Sequence, residues 1–180
     1  MANRWLNLLV DVLRSATRPS SRGTSRPSTT PRPRGGTPTP GRGPAGAYPG
    51  DFTGTVKPVY SPRPDGDPDP GEVVWTWVPF EEDHARGKDR PVLLVGRDGP
   101  WLLALQLTSK DHDRDAAQEA RYGRLWMDVG TGAWDSQKRP SEVRLNRVVR
   151  VDPGAVRREG AVMDRRSFDR VARAMAEARR

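Results

Sequence analysis

The sequence predicts a mainly β protein, a small and strongly curved barrel with a C-terminal helix, preceded by a short helix and a long disordered Pro/Gly-rich linker. Three observations lead there. From Gly71 onward, β-branched and aromatic residues recur in short runs separated by turn residues, five or six runs in about 110 residues. Thirteen of the 18 prolines and nine of the 18 glycines fall within residues 18–70, whose only sizeable apolar side chains are Tyr48, Phe52, Val56, Val59 and Tyr60. Those five are too few to offset backbone ordering at ~1 to 2 kcal/mol per residue, so 18–70 is expected to be a mobile linker. After the last run, Phe168, Val171, Ala172 and Met175 recur at helical spacing on one face.

Each element follows from its own residues. Trp5, Leu6, Leu8, Leu9, Val12 and Leu13 mark one side of a short amphipathic helix within 1–17, with Asn3 as cap and Pro19 as stop. It reads as a frayed terminal helix or, more sharply, as a docking segment. The first strand is Glu72-Val73-Val74-Trp75-Thr76-Trp77-Val78, and a charged loop over 79–90 follows. The apolar run 91–96 makes a second strand, and Asp98-Gly99 marks a tight hairpin turn. Strand three, 101–108, is almost wholly apolar and so belongs in the middle of a closed sheet, covered on both sides. A polar loop over 109–123 leads to a short fourth strand at 126–129. The run 143–151 alternates apolar with polar as a half-buried fifth strand, on which a strict period of two aligns Arg144 with Arg150 and turns Arg147 the other way. Residues 155–163 hold a turn and a last strand, and Asp164 or Ser167 starts the helix that runs to 179. Residues 71–180 thus form the folded domain.

Composition narrows the chemistry. The 180 residues contain no Cys and two His, His84 and His112, which excludes disulfides, thiol nucleophiles and Cys-ligated zinc. The longest apolar runs, 91–96 and 99–105, are far below the ~18 to 20 residues of a membrane span. Asp11 interrupts the only N-terminal apolar stretch, Leu8-Leu9-Val10, which argues against an export signal. A cytoplasmic protein is expected. Of the net charge of +8, residues 1–70 carry +5 (10 Lys+Arg against 5 Asp+Glu) and the remainder +3 (21 against 18), so basicity says little about the folded domain. No phosphate-binding glycine loop, HExxH or GxSxG is present, and Asp111, Asp113 and Asp115 are interrupted by His112 and Arg114 without an EF-hand ending. What remains is polar groups at strand ends: Arg90 entering strand two, Thr108, Ser109 and Lys110 leaving strand three, and the charged first loop.

Four blocks, Gly71-Glu72-Val73-Val74-Trp75, Arg86-Gly87-Lys88-Asp89-Arg90-Pro91-Val92, Leu105-Gln106-Leu107-Thr108-Ser109 and Val143-Arg144-Leu145-Asn146-Arg147-Val148, resemble the MazF/PemK family of toxins in order and spacing across 71–176. The resemblance implies an SH3-like, CcdB/PemK-type barrel, a homodimer, a cognate antitoxin partner with operator DNA reached through that complex, and a metal-independent, cofactor-free endoribonuclease selective for sequence in single-stranded RNA. It carries the two catalytic positions over to Arg90, the Arg of the Arg-Pro step, and Thr108, which ends strand three. Attack of a ribose 2′-OH on the adjacent phosphorus builds charge that a guanidinium stabilises, giving a 2′,3′-cyclic phosphate and a 5′-OH. The general base stays open among Glu81, Glu82 and His84. Glu82, His84, Arg86 and Lys88 on the first loop, with Ser109, Lys110 and Arg144, are expected to contact or support the RNA, and Trp77 or Trp134 to stack on a base.

Each reading has a plainer counterpart. Without the resemblance, Arg90 is a surface cation paired with Glu82, Asp83 or Asp89, and Thr108 is a β-branched packing residue. The two histidines are solvated loop residues, the tryptophans core aromatics, and the strand-five arginines a solvated face. Two other functions share the fold: a non-catalytic module that binds antitoxin, RNA or operator DNA, and a CcdB-like gyrase poison, which the Ala- and Arg-rich end at 172–180 does not support. The N-terminal extension could also occupy the groove in cis, although it is basic where family antitoxins are acidic.

Overall fold

A computed structural model describes residues 48–110 and 116–178. The expected helix over 1–17 and the part of the expected linker over 18–47 lie outside the described residues. Six antiparallel strands form one sheet: β1 (Glu72–Pro79), β2 (Gly87–Asp98), β3 (Trp101–Thr108), β4 (Trp126–Gly130), β5 (Ser141–Val151) and β6 (Arg158–Val162), in the order β4-β5-β3-β2-β1-β6. Helix α1 (Ala116–Arg121) lies between β3 and β4, and α2 (Arg165–Glu177) follows β6. The sheet curls into a half-barrel with β4 and β6 as its edges, where the sequence suggested full closure.

Two apolar sets on opposite faces explain why β3 has almost no polar residue. Leu103, Leu105 and Leu107 pack with Val73, Leu93, Val143 and the α2 residues Phe168, Val171 and Met175. Leu102 and Ala104 face the other way, onto Val74, Val78, Val92, Leu94, Val149 and Val151. Both sides of the strand are covered, as a continuous apolar run requires. Asp164 caps α2 by accepting from the Ser167 N–H at 2.9 Å, which holds its carboxyl below the usual range.

Three local features differ from the sequence reading. β2 starts at Gly87, so Arg90 lies within the strand, opposite Thr76, and the connecting loop shrinks to 80–86. Gly87 permits this because a Cβ there would overlap the Val78 carbonyl and the Trp77 ring. The β2–β3 hairpin turns on Gly99 and Pro100, with Gly99 at φ 57° and the proline ring holding its own φ negative, as a II′ turn needs. The polar stretch 109–123 contains α1, which no apolar periodicity announced.

The larger difference is upstream of β1. Residues 48–70 lie against the barrel as a strap instead of forming a mobile linker. The Phe52 N–H donates to the Val148 carbonyl at 2.8 Å and the Val59 N–H to the Val95 carbonyl at 2.9 Å. Phe52, Val56 and Tyr60 pack on the α2-side core, and the Tyr60 hydroxyl donates to the Met163 carbonyl at 2.9 Å. Those side chains are too few to make a core of their own, but they extend one that already exists. Backbone ordering is offset by burial against another element.

β5 is not a regular strand. Leu105 pairs with Val148 but Leu107 with Val143, so three extra residues of β5 are accommodated between them. Asn146 anchors the irregularity, accepting from the Leu125 N–H at 3.2 Å and donating to the Gly123 carbonyl. The insertion changes which face later residues take. Val143, Leu145 and Val148 share the α2-side core, so Arg144 and Arg147 both take the opposite face. Arg150 faces away, over the Phe52 ring and bonded to Asp98 at 2.8 Å. The alignment of Arg144 with Arg150 expected from strict alternation is therefore reversed.

Candidate functional site

Strand register brings Arg90 and Thr108 together. β2 and β3 pair through Val92 and Gln106, and Arg90 and Thr108, each two residues further along its strand, share the face of that pair and line the same cavities. On the far side of β3, β5 presents Arg144, whose partner on β4 is Trp126. A cavity of about 310 Å³ opens over these positions, its walls including Arg90, Gln106, Thr108, Trp126, Arg144 and Arg147 from the strands. Phe80, Glu81 and Glu82 close one side, and Lys110, Glu119 and Arg124 the other. A second cavity, of about 170 Å³, lies across Arg90 and Thr108 from the first and is bounded by Trp75, Pro91, Ser109, Asp135, Arg139 and Ser141. Arg90 and Thr108 form the ridge between the two.

Five cations and three carboxylates line the larger cavity, and what distinguishes the cations is their partners. Arg124 pairs with Glu119 at 3.7 Å, Arg144 with Glu81 at 2.9 Å and Arg147 with Asp51 at 2.7 Å. Arg90 and Lys110 pair with no carboxylate among the described residues. Two of the three carboxylates that would make Arg90 an ordinary surface ion pair are engaged elsewhere, and the third, Glu82, lines the same cavity without an ion pair to it among the described residues. Asp89 holds Arg157 at 2.7 Å, and Asp83 accepts from the Ala85 N–H at 3.0 Å. Burial, then the charge of Arg147, holds the Arg90 guanidinium below its ordinary value. The site thus keeps one half-buried guanidinium available to an incoming anion.

Thr108 is equally prepared. Its Oγ1 accepts from the Lys110 N–H at 3.1 Å, which leaves its own hydrogen to donate. Arg144 is buried, and its Nε has no hydrogen-bond partner among the described residues. Burial pulls its guanidinium down while the bond and charge of Glu81 push it up, the net being downward. Among the described residues, no group of three or more His, Asp or Glu is arranged to hold a metal ion.

This arrangement sorts the residues that sequence alone put forward. Arg90, Thr108, Lys110, Glu82 and Arg144 meet at the larger cavity, and Ser109 joins the smaller one. Arg86 and Lys88 lie over the Phe80 ring at 5.7 and 5.9 Å, next to the site but not lining it. His84 meets the Tyr48 ring edge-on at 5.0 Å. Trp134 is 7% exposed and part of the core, with its indole N–H donating to Ser141 Oγ at 3.2 Å, so no base can stack on it. Trp77 sits on the opposite face of β1 from Thr76 and covers Gly87. Trp126 and Trp75 are the indoles that line the cavities. No local sequence pattern places Arg147 or Asp51 at the site, because the first depends on the β5 irregularity and the second on the docked strap.

A family model described as a PemK-like, MazF-like toxin of type II toxin-antitoxin systems matches residues 69–178. The chain belongs to that family. Among curated proteins, none matches the chain. The PemK-like domain takes in all six strands, both helices and both cavities, while most of the strap, including Tyr48 and Asp51, precedes it. As a type II toxin, the protein has an antitoxin as its expected counterpart. No helix of the described residues is long and apolar enough to cross a membrane.

Proposed function

We propose that this toxin is a metal-independent endoribonuclease that cleaves single-stranded RNA at the Arg90–Thr108 ridge. The observation that carries the reading is the Arg90 guanidinium, half-buried, without a carboxylate partner among the described residues and set beside a hydroxyl with a free hydrogen. A phosphodiester bridging the ridge would place one flanking nucleotide toward each cavity. The 2′-oxygen attacks phosphorus as its proton passes to a base, the bond from phosphorus to the 5′-oxygen breaks, and that oxygen takes up a proton. The products are a 2′,3′-cyclic phosphate and a 5′-OH. Arg90 stabilises the charge that develops on the non-bridging oxygens, and Thr108 donates to one of them to hold the phosphate in line.

Of the three loop candidates for the base, Glu81 is engaged by Arg144 and His84 packs on Tyr48, which leaves Glu82 at the cavity wall. Operation as a homodimer held in check by an antitoxin, with operator DNA contacted through that complex, fits the family and completes the proposal.

The full-length protein, incubated in EDTA with a single-stranded RNA transcript of mixed sequence, should give fragments ending in 2′,3′-cyclic phosphate. Arg90→Ala and Thr108→Val should each abolish cleavage with the melting temperature unchanged. Undiminished cleavage by both variants would overturn the assignment, and salt-sensitive RNA binding without any product would favour a non-catalytic binding module.

A further inference from the structure

We propose that Asp51, on the strap that precedes the family-matched region, is a positioning residue of the RNA site: it fixes Arg147, and through Arg147 the loop that walls the cavity. The inference rests on the ribonuclease reading above for its functional consequence, though not for its geometry.

Arg147 is 6% exposed and reaches across the inner face from β5. Its Nε donates to Asp51 Oδ2 at 2.7 Å and its Nη2 to Oδ1 at 3.2 Å, a two-pronged grip on one carboxylate. The same Nη2 donates to the Pro79 carbonyl at 2.9 Å. That carbonyl belongs to the planar peptide unit leading into Phe80, so holding its oxygen sets the direction in which the 80–86 loop leaves β1. Phe80, Glu81 and Glu82, the next three residues, line the cavity.

A second tie reaches the far part of the loop. The Tyr48 hydroxyl donates to Asp51 Oδ1 at 2.6 Å, and the Tyr48 ring meets His84 edge-on. The strap therefore grips the loop at its start, through Arg147 and Pro79, and again at His84. Charge adds a further role. Arg147 lines the same cavity as Arg90 and its charge disfavours that of Arg90, and pairing Arg147 with Asp51 leaves Arg90 as the guanidinium of the ridge without a carboxylate partner among the described residues. Without Asp51, two unpaired guanidiniums would share the site, and an incoming phosphate would divide between them. Asp51 is not what docks the strap, since Phe52, Val56 and Tyr60 pack on the opposite core. Its loss should disturb the loop and leave the strap in place.

The test uses full-length Asp51→Asn and Asp51→Glu, with Tyr48→Phe as a milder variant that keeps the Arg147 pair. Amide hydrogen exchange of residues 80–86 should rise on the order of tenfold in Asp51→Asn while β3 stays protected. On a single-stranded RNA transcript of mixed sequence, kcat should fall roughly ten- to a hundredfold with a smaller change in KM. Asp51→Glu should restore part of both, and Tyr48→Phe should shift both in the same direction by less. Unchanged loop exchange, or a kcat loss matched by loss of protection in β3, would overturn the proposal. Should Asp51→Asn fail to fold, Tyr48→Phe decides by the same two readouts. If the wild-type protein cleaves no RNA, the ribonuclease reading falls alone, and the exchange measurement still decides whether Asp51 fixes the loop.

Discussion

Among the described residues, Arg90 forms no ion pair with a carboxylate, whereas Arg124, Arg144 and Arg147 of the same cavity each form one. Replacing Glu82 by Gln keeps the size of the side chain and removes its capacity to take a proton, so RNA cleavage should slow about a hundredfold in a rate assay while thermal unfolding is unaffected. Asp51 makes a different prediction. Burial would raise its carboxyl, but hydrogen bonds from Arg147 and Tyr48 and the charge of Arg147 outweigh this and hold it below the usual carboxylate range. A carboxyl depressed on folding contributes stability above its unfolded value, and that contribution is lost as pH falls through the folded one. Wild type should therefore exceed Asp51→Asn in stability at pH 7, and the gap, followed by urea unfolding, should close below about pH 4. Truncation to Ala should cost about 3 kcal/mol at neutral pH, because it leaves a buried guanidinium with only the Pro79 carbonyl. Tyr48 behaves in the opposite sense, burial and then Asp51 pushing its phenol up.

Among the elements, the β1–β2 hairpin and β5 do the most to build the site. The hairpin closes tightly because Gly87 lets the chain pass under Trp77, and Gly87→Ala should destabilise the protein by about 2 kcal/mol, measurable by denaturant unfolding, through overlap with the Val78 carbonyl and the indole. That strain would be felt directly at Arg90, three residues along the same strand. In β5, the three-residue irregularity turns two arginines toward one cavity and a third toward the strap. Strict alternation is a good rule for a regular strand, but it fails where hydrogen bonds from another segment stabilise extra residues. Here Asn146 supplies them, bonding to the segment that leads into β4. The blocks around Arg90 and Thr108 were legible in the sequence because each side chain keeps the two-residue alternation of its own strand, Arg90 with Val92 and Thr108 with Gln106, so spacing along each strand translates directly into position on the face. Arg147 was not, because its direction is set by that insertion.

For the whole molecule, the folded unit is larger than the family-matched domain. Removing residues 1–70 would strip Phe52, Val56 and Tyr60 from the α2-side core and break the Asp51–Arg147 pair. Partial burial of each apolar side chain is worth about 1 kcal/mol or more, so a 71–180 fragment should melt roughly 10 °C or more below the full chain in a calorimetric scan. Sequence alone determined that five or six short strands and a C-terminal helix follow Gly71, because hydrophobic periodicity and turn residues act over a few positions. Its four blocks also pointed to the family, and through that resemblance to Arg90 and Thr108 as candidate site residues. Tertiary structure alone decided that the strap docks, since a segment without a core of its own can bury its few apolar side chains only against another element. It also decided which arginines and indoles face the cavities. Asp51 and Arg147 are 96 residues apart in the chain, and no local pattern could relate them. Contacts between distant segments, each conditional on how the other folds, gave Arg147 its carboxylate and left Arg90 without one among the described residues.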